Sequence, residues 1–208
     1  MLFCSGMRRF PGIISAAFLV SAAAGASASR AEGQERSYTA ADIHFVSGMI
    51  AHHAQALVMA GWAASHGASP SVRTLADRIT NAQQDEIALM QRWLRDRHQP
   101  VPDANPHAMT MNMNGMEHEM LMPGMLTESQ LKQLDESRNN EFDRLFLTFM
   151  IQHHRGAVTM VKDLFDTYGA AQDVTVFKLA SDVSADQTTE IERMQKMLAS
   201  IIFGAQQP

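Results

Sequence analysis

The chain has 208 residues, a single cysteine and a formal net charge of −5, and its length suits one domain or two small ones. This mild acidity argues against nucleic acid as a partner, because nothing in the composition would neutralise phosphates. A metal site in this chain would have to use His, Met, Asp, Glu or backbone groups, since one cysteine provides neither a disulfide nor a thiolate cluster.

Residues 1–28 have the pattern of a secretory signal peptide. Arg8 and Arg9 precede the apolar run "GIISAAFLVSAAAGA", and "ASA" at residues 26–28 offers a small-residue cleavage site. An uncleaved membrane anchor is the alternative, but the run is short for a membrane span. Cleavage would remove Cys4 and leave 15 basic and 22 acidic residues. We therefore expect a periplasmic protein that is not inserted in the membrane.

The rest of the chain repeats itself. "FVSGMIAHHAQALVMA" (45–60) matches "FLTFMIQHHRGAVTMV" (146–161), and "QQDEIALMQRWL" (83–94) matches "QTTEIERMQKML" (187–198). The blocks occur in the same order with a spacing of roughly a hundred residues, which indicates a duplicated half-domain rather than a solenoid.

The first half is predicted to form two helices. Thr39 with Asp42 resembles a capping box that opens the first helix, and His66-Gly67 ends it. Ser69-Pro70 opens the second helix, which stops near His98. No stretch of the chain is predicted to be a strand.

The second half is predicted to follow the same plan after a Met-rich linker, residues 100–126. Thr127 opens a short helix that fades near Asn139-Asn140, and two long helices follow, at about 141–168 and 173–203. The sequence therefore predicts an all-α protein. We expect residues 38–203 to form one four-helix bundle domain with halves 38–99 and 127–203, a crossover loop and a short extra helix.

Adjacent histidines occupy the same place in each half, with methionines four or seven residues away on the same helix. These candidate metal ligands are Met49, His52, His53, Met59, Met150, His153, His154 and Met160. Neighbouring residues diverge by about 100° around a helix, so one histidine of each pair is predicted to face the interior and the other the rim. Metal or proton chemistry is one interpretation of the pairs, and hydrogen-bonded core histidines are the other.

A second repeated pattern is E-I-x-x-M, in which Glu86 matches Glu190 and Met90 matches Met194. A ferritin-like di-iron site would need Glu-x-x-His on its helices, so iron-oxygen chemistry is disfavoured. We predict that these methionines are core residues and that the glutamates pair locally.

The segment "HAMTMNMNGMEHEMLMPGM", residues 107–125, contains seven methionines among nineteen residues. Thioether sulfur is a soft donor that suits Cu(I) and Ag(I), and imidazole is a harder partner for Cu(II). The candidate ligands here are His107, Met109, Met111, Met113, Met116, His118, Met120, Met122 and Met125. The alternatives are an apolar lid on the bundle, an oxidant sink and a flexible partner-binding surface.

Taken together, these motifs resemble the domain-of-unknown-function 305 family from about Ala41 to Leu198. The resemblance is carried by M-I-x-H-H-x2-A-x2-M in both halves and by "MPGMLT" ahead of "EFDRLFLTFMIQHHRGAVTM". It implies a ferritin-like four-helix bundle. The family's CopM-like periplasmic members bind copper, which implies a role in copper tolerance.

We therefore expect a non-enzymatic copper-binding protein that prefers Cu(I), takes Cu(II) as a second form and accepts Ag(I) as a surrogate. It would buffer the ion or pass it to a copper efflux or chaperone protein. Two alternatives stay open: a metal-dependent oxidoreductase with a His/Met site in the bundle, and a metal-independent module that binds an envelope partner.

Overall fold

Five helices and one β-ribbon make up the described part of the chain, residues 38–107, 109–113 and 116–204 of a computed structural model. For the strand residues up to 119 the description covers the backbone alone. The elements are α1 (Ala40–Gly61), α2 (Pro70–Asp96), β1 (Met109–Met113), β2 (Met116–Met120), α3 (Glu128–Glu136), α4 (Asn139–Asp166) and α5 (Val174–Gly204). None of the described helices is both long and apolar enough to cross a membrane. The predicted signal peptide lies outside the described residues.

Capping residues set where α1, α2 and α3 begin, at the positions predicted from the sequence. The Thr39 hydroxyl accepts from the backbone N–H of Asp42, whose carboxylate accepts from the Thr39 N–H in return. Thr127 and Gln130 exchange the same pair of bonds, and the Ser69 side chain caps α2. These bonds satisfy backbone N–H groups that a helix N-terminus leaves without an intrahelical partner.

The first four helices end earlier than predicted, and α1 and α4 are two examples. The chain leaves α1 after Gly61 and continues as a turn to Gly67, which has a φ of 73°. Similarly, α4 ends at Asp166 rather than near Tyr168. Both differences lie at helix termini, where the last turn is weakly defined by sequence.

The four long helices form a bundle of two helical hairpins, as predicted. α1 packs along α2, α4 packs along α5, and the hairpins meet mainly through α1 and α4. One apolar cluster joins Phe45 near the start of α1 to Leu164 near the end of α4, and a second joins Met59 to Phe146. The two inner helices therefore run antiparallel. The single long crossover, from α2 to α4, is the connection found in ferritin-like bundles.

The crossover contains a β-ribbon, so the prediction that the chain has no strand was wrong. β1 and β2 pair antiparallel, from Met109 opposite Met120 to Met113 opposite Met116. In the sequence, Asn114-Gly115 separates the strands, and Asn-Gly between alternating residues is a strong hairpin pattern. The sequence signal that indicates this hairpin is therefore the Asn-Gly pair between two alternating segments.

A buried glutamine on α1 holds both ends of this crossover. The Gln55 Nε2 donates to the carbonyl of Pro106 at 2.9 Å and to that of Leu126 at 3.1 Å. Its Oε1 accepts from the Leu126 N–H at 2.6 Å. Because Pro106 precedes β1 and Leu126 follows β2, one side-chain amide fixes the base of the ribbon.

The chain that follows β2 lies directly on α4 at Gly156. A Cβ atom placed on Gly156 would be 1.9 Å from the carbonyl oxygen of Pro123 and 2.6 Å from the Cα of Gly124. Only a residue without a Cβ permits this approach. The base of the ribbon is therefore held on both inner helices, by hydrogen bonds on α1 and by backbone contact on α4.

We predict that Gly156→Ala lowers the free energy of unfolding by about 1–3 kcal/mol, because the added methyl group overpacks the contact with Pro123. Gly61→Ala is the matched control, since nothing lies within 4 Å of its Cβ position. That control should be neutral or stabilising by up to about 1 kcal/mol. Urea unfolding followed by circular dichroism measures both variants, and equal effects would contradict the close approach.

Candidate metal-binding sites

The two histidine pairs form a polar layer between the apolar clusters. His52 and His53 on α1 and His153 and His154 on α4 are all 0% exposed. The rings of His52 and His153 lie with centroids 3.8 Å apart, at the crossing of the inner helices. The prediction that one histidine of each pair faces the rim was wrong, because α1 and α4 are covered both by the outer helices and by the base of the ribbon.

Each outer helix contributes a glutamate that holds one of these histidines. The Glu86 Oε2 lies 2.6 Å from the Nε2 of His53, and the Glu190 Oε2 lies 2.7 Å from the Nε2 of His154. The prediction that the glutamates pair locally was wrong, because their partners lie on another helix. In a neutral ring this bond keeps the proton on Nε2 and leaves a lone pair on Nδ1.

Five ring nitrogens of the layer have no hydrogen-bond partner among the described residues. They are the Nδ1 atoms of His52, His53 and His154 and both nitrogens of His153. Buried polar atoms without partners are costly and rare. An imidazole held by a carboxylate through one nitrogen presents the other in the way that metal-binding histidines do. The layer therefore offers nitrogen donors inside an apolar bundle.

The neutral state of two of these rings follows from their burial. Burial lowers the pKa of His52 to about 3, and the nearby His53 adds to this effect while the Pro123 carbonyl opposes it. Burial, and then the neighbouring His52, lowers the pKa of His153 well below its usual value. Both rings are neutral at physiological pH, which is the form of imidazole that binds metals.

The layer is not a closed metal cage in the described structure. Among the side chains of residues 38–107 and 120–204, no three His, Asp or Glu groups are placed to hold one ion together. Any metal bound there would need small rotations of the rings or donors of another kind, such as thioethers.

The predicted helix methionines lie on either side of this layer. Met49 and Met160 belong to one apolar cluster, and Met59 and Met150 belong to the other. All four are at most 6% exposed and pack as core side chains. Met90 and Met194 are fully buried in the same clusters, as predicted.

The ribbon gathers most of the predicted crossover ligands on one face. Residues alternate between faces along a strand, and directly opposite residues share a face. The register pairs Met109 with Met120, Met111 with His118 and Met113 with Met116. This set, which we call the methionine face, therefore contains five methionines and one histidine. Met120, at 40% exposure, is its one member whose side chain is described.

Three predicted crossover ligands lie outside the methionine face. His107 is exposed and precedes β1. Met122 and Met125 are buried in the core, where the Met122 N–H donates to the sulfur of Met125 at 3.4 Å. These two predicted ligands are core residues because the chain after β2 packs against the bundle.

We predict that the metal-free protein loses stability as the pH falls from about 6.5 toward 3. An unfolded histidine takes up a proton near pH 6.5, whereas His52 in the fold does so only at about pH 3. The unfolded state therefore binds more protons throughout this window, with a slope of about 1.4 kcal/mol per pH unit for each such histidine.

Urea unfolding at several pH values measures this slope. His52→Gln should reduce it, whereas His44→Gln, an exposed position on the same helix, should leave it unchanged. Identical slopes for the wild type and His52→Gln would contradict the proposal that the lowered pKa of His52 causes this loss of stability.

Comparison with known proteins finds a family match and several similar solved structures. Residues 42–198 match the family described as Domain of unknown function (DUF305). No curated protein matches the chain. A DUF305 protein from Streptomyces coelicolor is 29% identical with a TM-score of 0.65, over 77% of this chain and 93% of that one. A DUF305 fragment from Deinococcus radiodurans is 29% identical with a TM-score of 0.64, over 78% and 97% respectively.

Solved structures of CopM are also similar. Its Cu(I)-bound form is 28% identical with a TM-score of 0.58, over 79% of this chain and 98% of that one. CopM has also been solved in Cu(II)-bound, Ag-bound and apo forms. The repeated M-I-x-H-H motif, the two-hairpin bundle and the family match coincide along the chain, which therefore belongs to the DUF305 family.

Proposed function

We propose that this protein binds copper, with Cu(I) preferred, and holds it for buffering or transfer. The observation that carries the proposal is the register of the ribbon, which collects five methionines and His118 on one face. Thioethers are soft donors that suit Cu(I) and, for the same reason, Ag(I). The similarity to CopM, whose solved forms hold Cu(I), Cu(II) and Ag, supports the same class of ligand.

The methionine face offers more donors than one Cu(I) ion needs. Cross-strand partners in an antiparallel ribbon have Cβ atoms about 4.5–5.5 Å apart, so side chains from neighbouring pairs can reach a shared ion. Release to a copper efflux or chaperone protein would then proceed by replacing one thioether at a time. Since each step exchanges one soft neutral ligand for another, no step separates the bare ion from all its donors.

The buried histidine layer is the second place where copper would bind. Its unpaired ring nitrogens are harder donors than sulfur and suit Cu(II). Met49 and Met160 on one side, and Met59 and Met150 on the other, are the thioethers that would complete the coordination there. His107, exposed ahead of β1, would act as an outer ligand.

The cellular setting of this proposal is the periplasm, supported by the signal-peptide pattern of residues 1–28. In that oxidising compartment a thioether keeps its metal-binding form, whereas a thiol is open to disulfide formation. The proposed protein is a metal carrier and not an enzyme.

A redox enzyme is the second candidate, and the same unpaired histidine nitrogens favour it. It predicts that the copper-loaded protein oxidises Cu(I) or a small molecule with turnover. A carrier binds and releases copper stoichiometrically, so the consumption of oxygen over many equivalents distinguishes the two.

We predict that replacing Met109, Met111, Met113, Met116 and Met120 together by leucine weakens Cu(I) binding by about 100-fold or more, equivalent to about 2.8 kcal/mol. Leucine keeps the volume but removes the sulfur donor. Competition with a chromogenic Cu(I) chelator under anaerobic conditions measures the affinity.

The matched control is Met122→Leu with Met125→Leu, which removes two sulfurs of the same segment that lie in the core. This control should bind Cu(I) within about threefold of the wild type. A wild-type stoichiometry near zero, or equal binding by the five-leucine variant, would end the copper proposal.

We further predict that Cu(I) affinity falls by less than about tenfold between pH 7 and pH 5, because thioethers do not take up protons in this range. The same competition assay, run at both pH values with a calibrated chelator, measures the change. A loss of several hundredfold would mean that imidazoles, and not the methionine face, hold the ion.

A further inference from the structure

A cleft lies between the outer helices α2 and α5, which contact each other little. It has a volume of about 390 Å³. Its polar lining includes Gln83 and Glu86 from α2 and Asp186, Gln187 and Glu190 from α5. The sequence repeat relates Gln83 to Gln187 and Glu86 to Glu190, so each wall carries one glutamine and one glutamate at equivalent positions.

The cleft has an excess of negative charge. Three carboxylates line it, and Arg78 is the basic residue of its wall. Burial, followed by the charges of Glu86, Asp182 and Glu190, raises the pKa of Asp186, while Lys178 opposes this effect. The carboxylates are therefore close enough to repel one another, and a bound cation would relieve the repulsion.

Two glutamines provide independent evidence for a ligand. Gln83 and Gln187 are each 3% exposed and line the cleft. The Oε1 of Gln83 and both polar side-chain atoms of Gln187 have no partner among the described residues. Such atoms are expensive to bury unless something binds them. Their carbonyl oxygens are suitable ligands for a hard cation.

Each of the two glutamates is fixed by a hydrogen bond with a buried histidine. Each uses its Oε2 atom to bind a histidine, His53 for Glu86 and His154 for Glu190. The glutamate side chains are 19% and 14% exposed, so each carboxylate lies between the buried layer and the cleft. Fixing a carboxylate in this way reduces the conformational entropy that it loses when it binds an ion.

We propose that this cleft binds one hydrated divalent cation of the oxygen-preferring class, such as Mg²⁺ or Mn²⁺, between Glu86 and Glu190. Two positive charges match the excess of three carboxylates over one guanidinium. Ions of this class keep several waters and bind proteins through one or two carboxylates. They therefore do not require three converging side chains, and none converge among the described residues.

The cleft is distinct from the methionine face, which is the first of the two proposed copper sites, although its two glutamates also contact the buried histidine layer. The ribbon is held by Gln55 on α1 and Gly156 on α4, whereas the cleft belongs to α2 and α5. Thioethers are poor ligands for Mg²⁺ and Mn²⁺, so the methionine face would not compete. A cation in the cleft would join an outer helix of each half.

The test is a titration of chelator-treated, full-length mature protein with Mn²⁺. Binding is measured as the loss of the electron paramagnetic resonance signal of the free ion. We expect one Mn²⁺ per chain, displaced by Mg²⁺. Glu86→Gln with Glu190→Gln should weaken binding by at least about tenfold. The amide oxygens still accept from His53 and His154, so the fold is kept, and circular dichroism checks this.

Glu192→Gln, an exposed carboxylate on the same helix, is the matched control and should bind Mn²⁺ like the wild type. Asp186→Asn, at the exposed mouth, should weaken binding by about threefold and is a second variant that does not touch the buried layer. The absence of saturable binding in the wild type, or equal binding by Glu86→Gln/Glu190→Gln and Glu192→Gln, would overturn the proposal. The five-leucine ribbon variant should bind Mn²⁺ normally, which separates this result from the copper titration.

Discussion

The contact of His52 with His153 at the crossing of α1 and α4 is the constraint on which the rest of the structure depends. The two halves of the bundle meet mainly along these inner helices, and this crossing divides the core into two apolar clusters with a polar layer between them. Buried imidazoles are tolerated there because burial lowers the pKa of His52 and His153, which keeps these two rings neutral. Part of the hydrogen bonding of the layer is also satisfied, by the Pro123 carbonyl and by glutamates from the outer helices. The same layer therefore connects every long helix and the crossover.

The crossover is one segment with two structurally different parts. Its base is part of the core, because Met122 and Met125 are buried and the Gln55 amide binds both of its ends. Beyond that base the chain forms a ribbon, in which pairing alone decides which residues share a face. The methionines of the segment thus divide into two groups with different physical roles. The composition of the segment does not distinguish the two groups. Their position does, because one group lies in the paired strands and the other lies after them.

Much of the bundle could be predicted because its determinants are local. Caps such as Thr39 and Thr127 depend on residues three positions away, and the repeat identifies the two halves without any tertiary information. The pairing of Glu86 with His53 could not be predicted, since it depends on how two helices are rotated against each other. The burial of both histidines of a pair left a sequence trace that the pairwise argument overlooked: residues 45–61 contain no Asp, Glu, Lys or Arg. A helix without a charged face is enclosed on all sides. The ribbon was missed because composition was weighed above the Asn-Gly turn pattern.

Gln55 and Gly156 occupy equivalent positions in the duplicated sequence, yet they do opposite things. Gln55 of the first half hydrogen-bonds the crossover through its side chain. Gly156 of the second half has no side chain, and this lets the crossover pack directly on α4. The ancestral symmetry of the bundle is thus broken at one pair of positions. A bundle with glutamine at both positions would have no glycine to let the crossover approach the helix. A bundle with glycine at both positions would have no side chain to hydrogen-bond the crossover. The described ribbon is therefore held by two different residues at equivalent positions of the repeat, so the two halves of the bundle are not interchangeable.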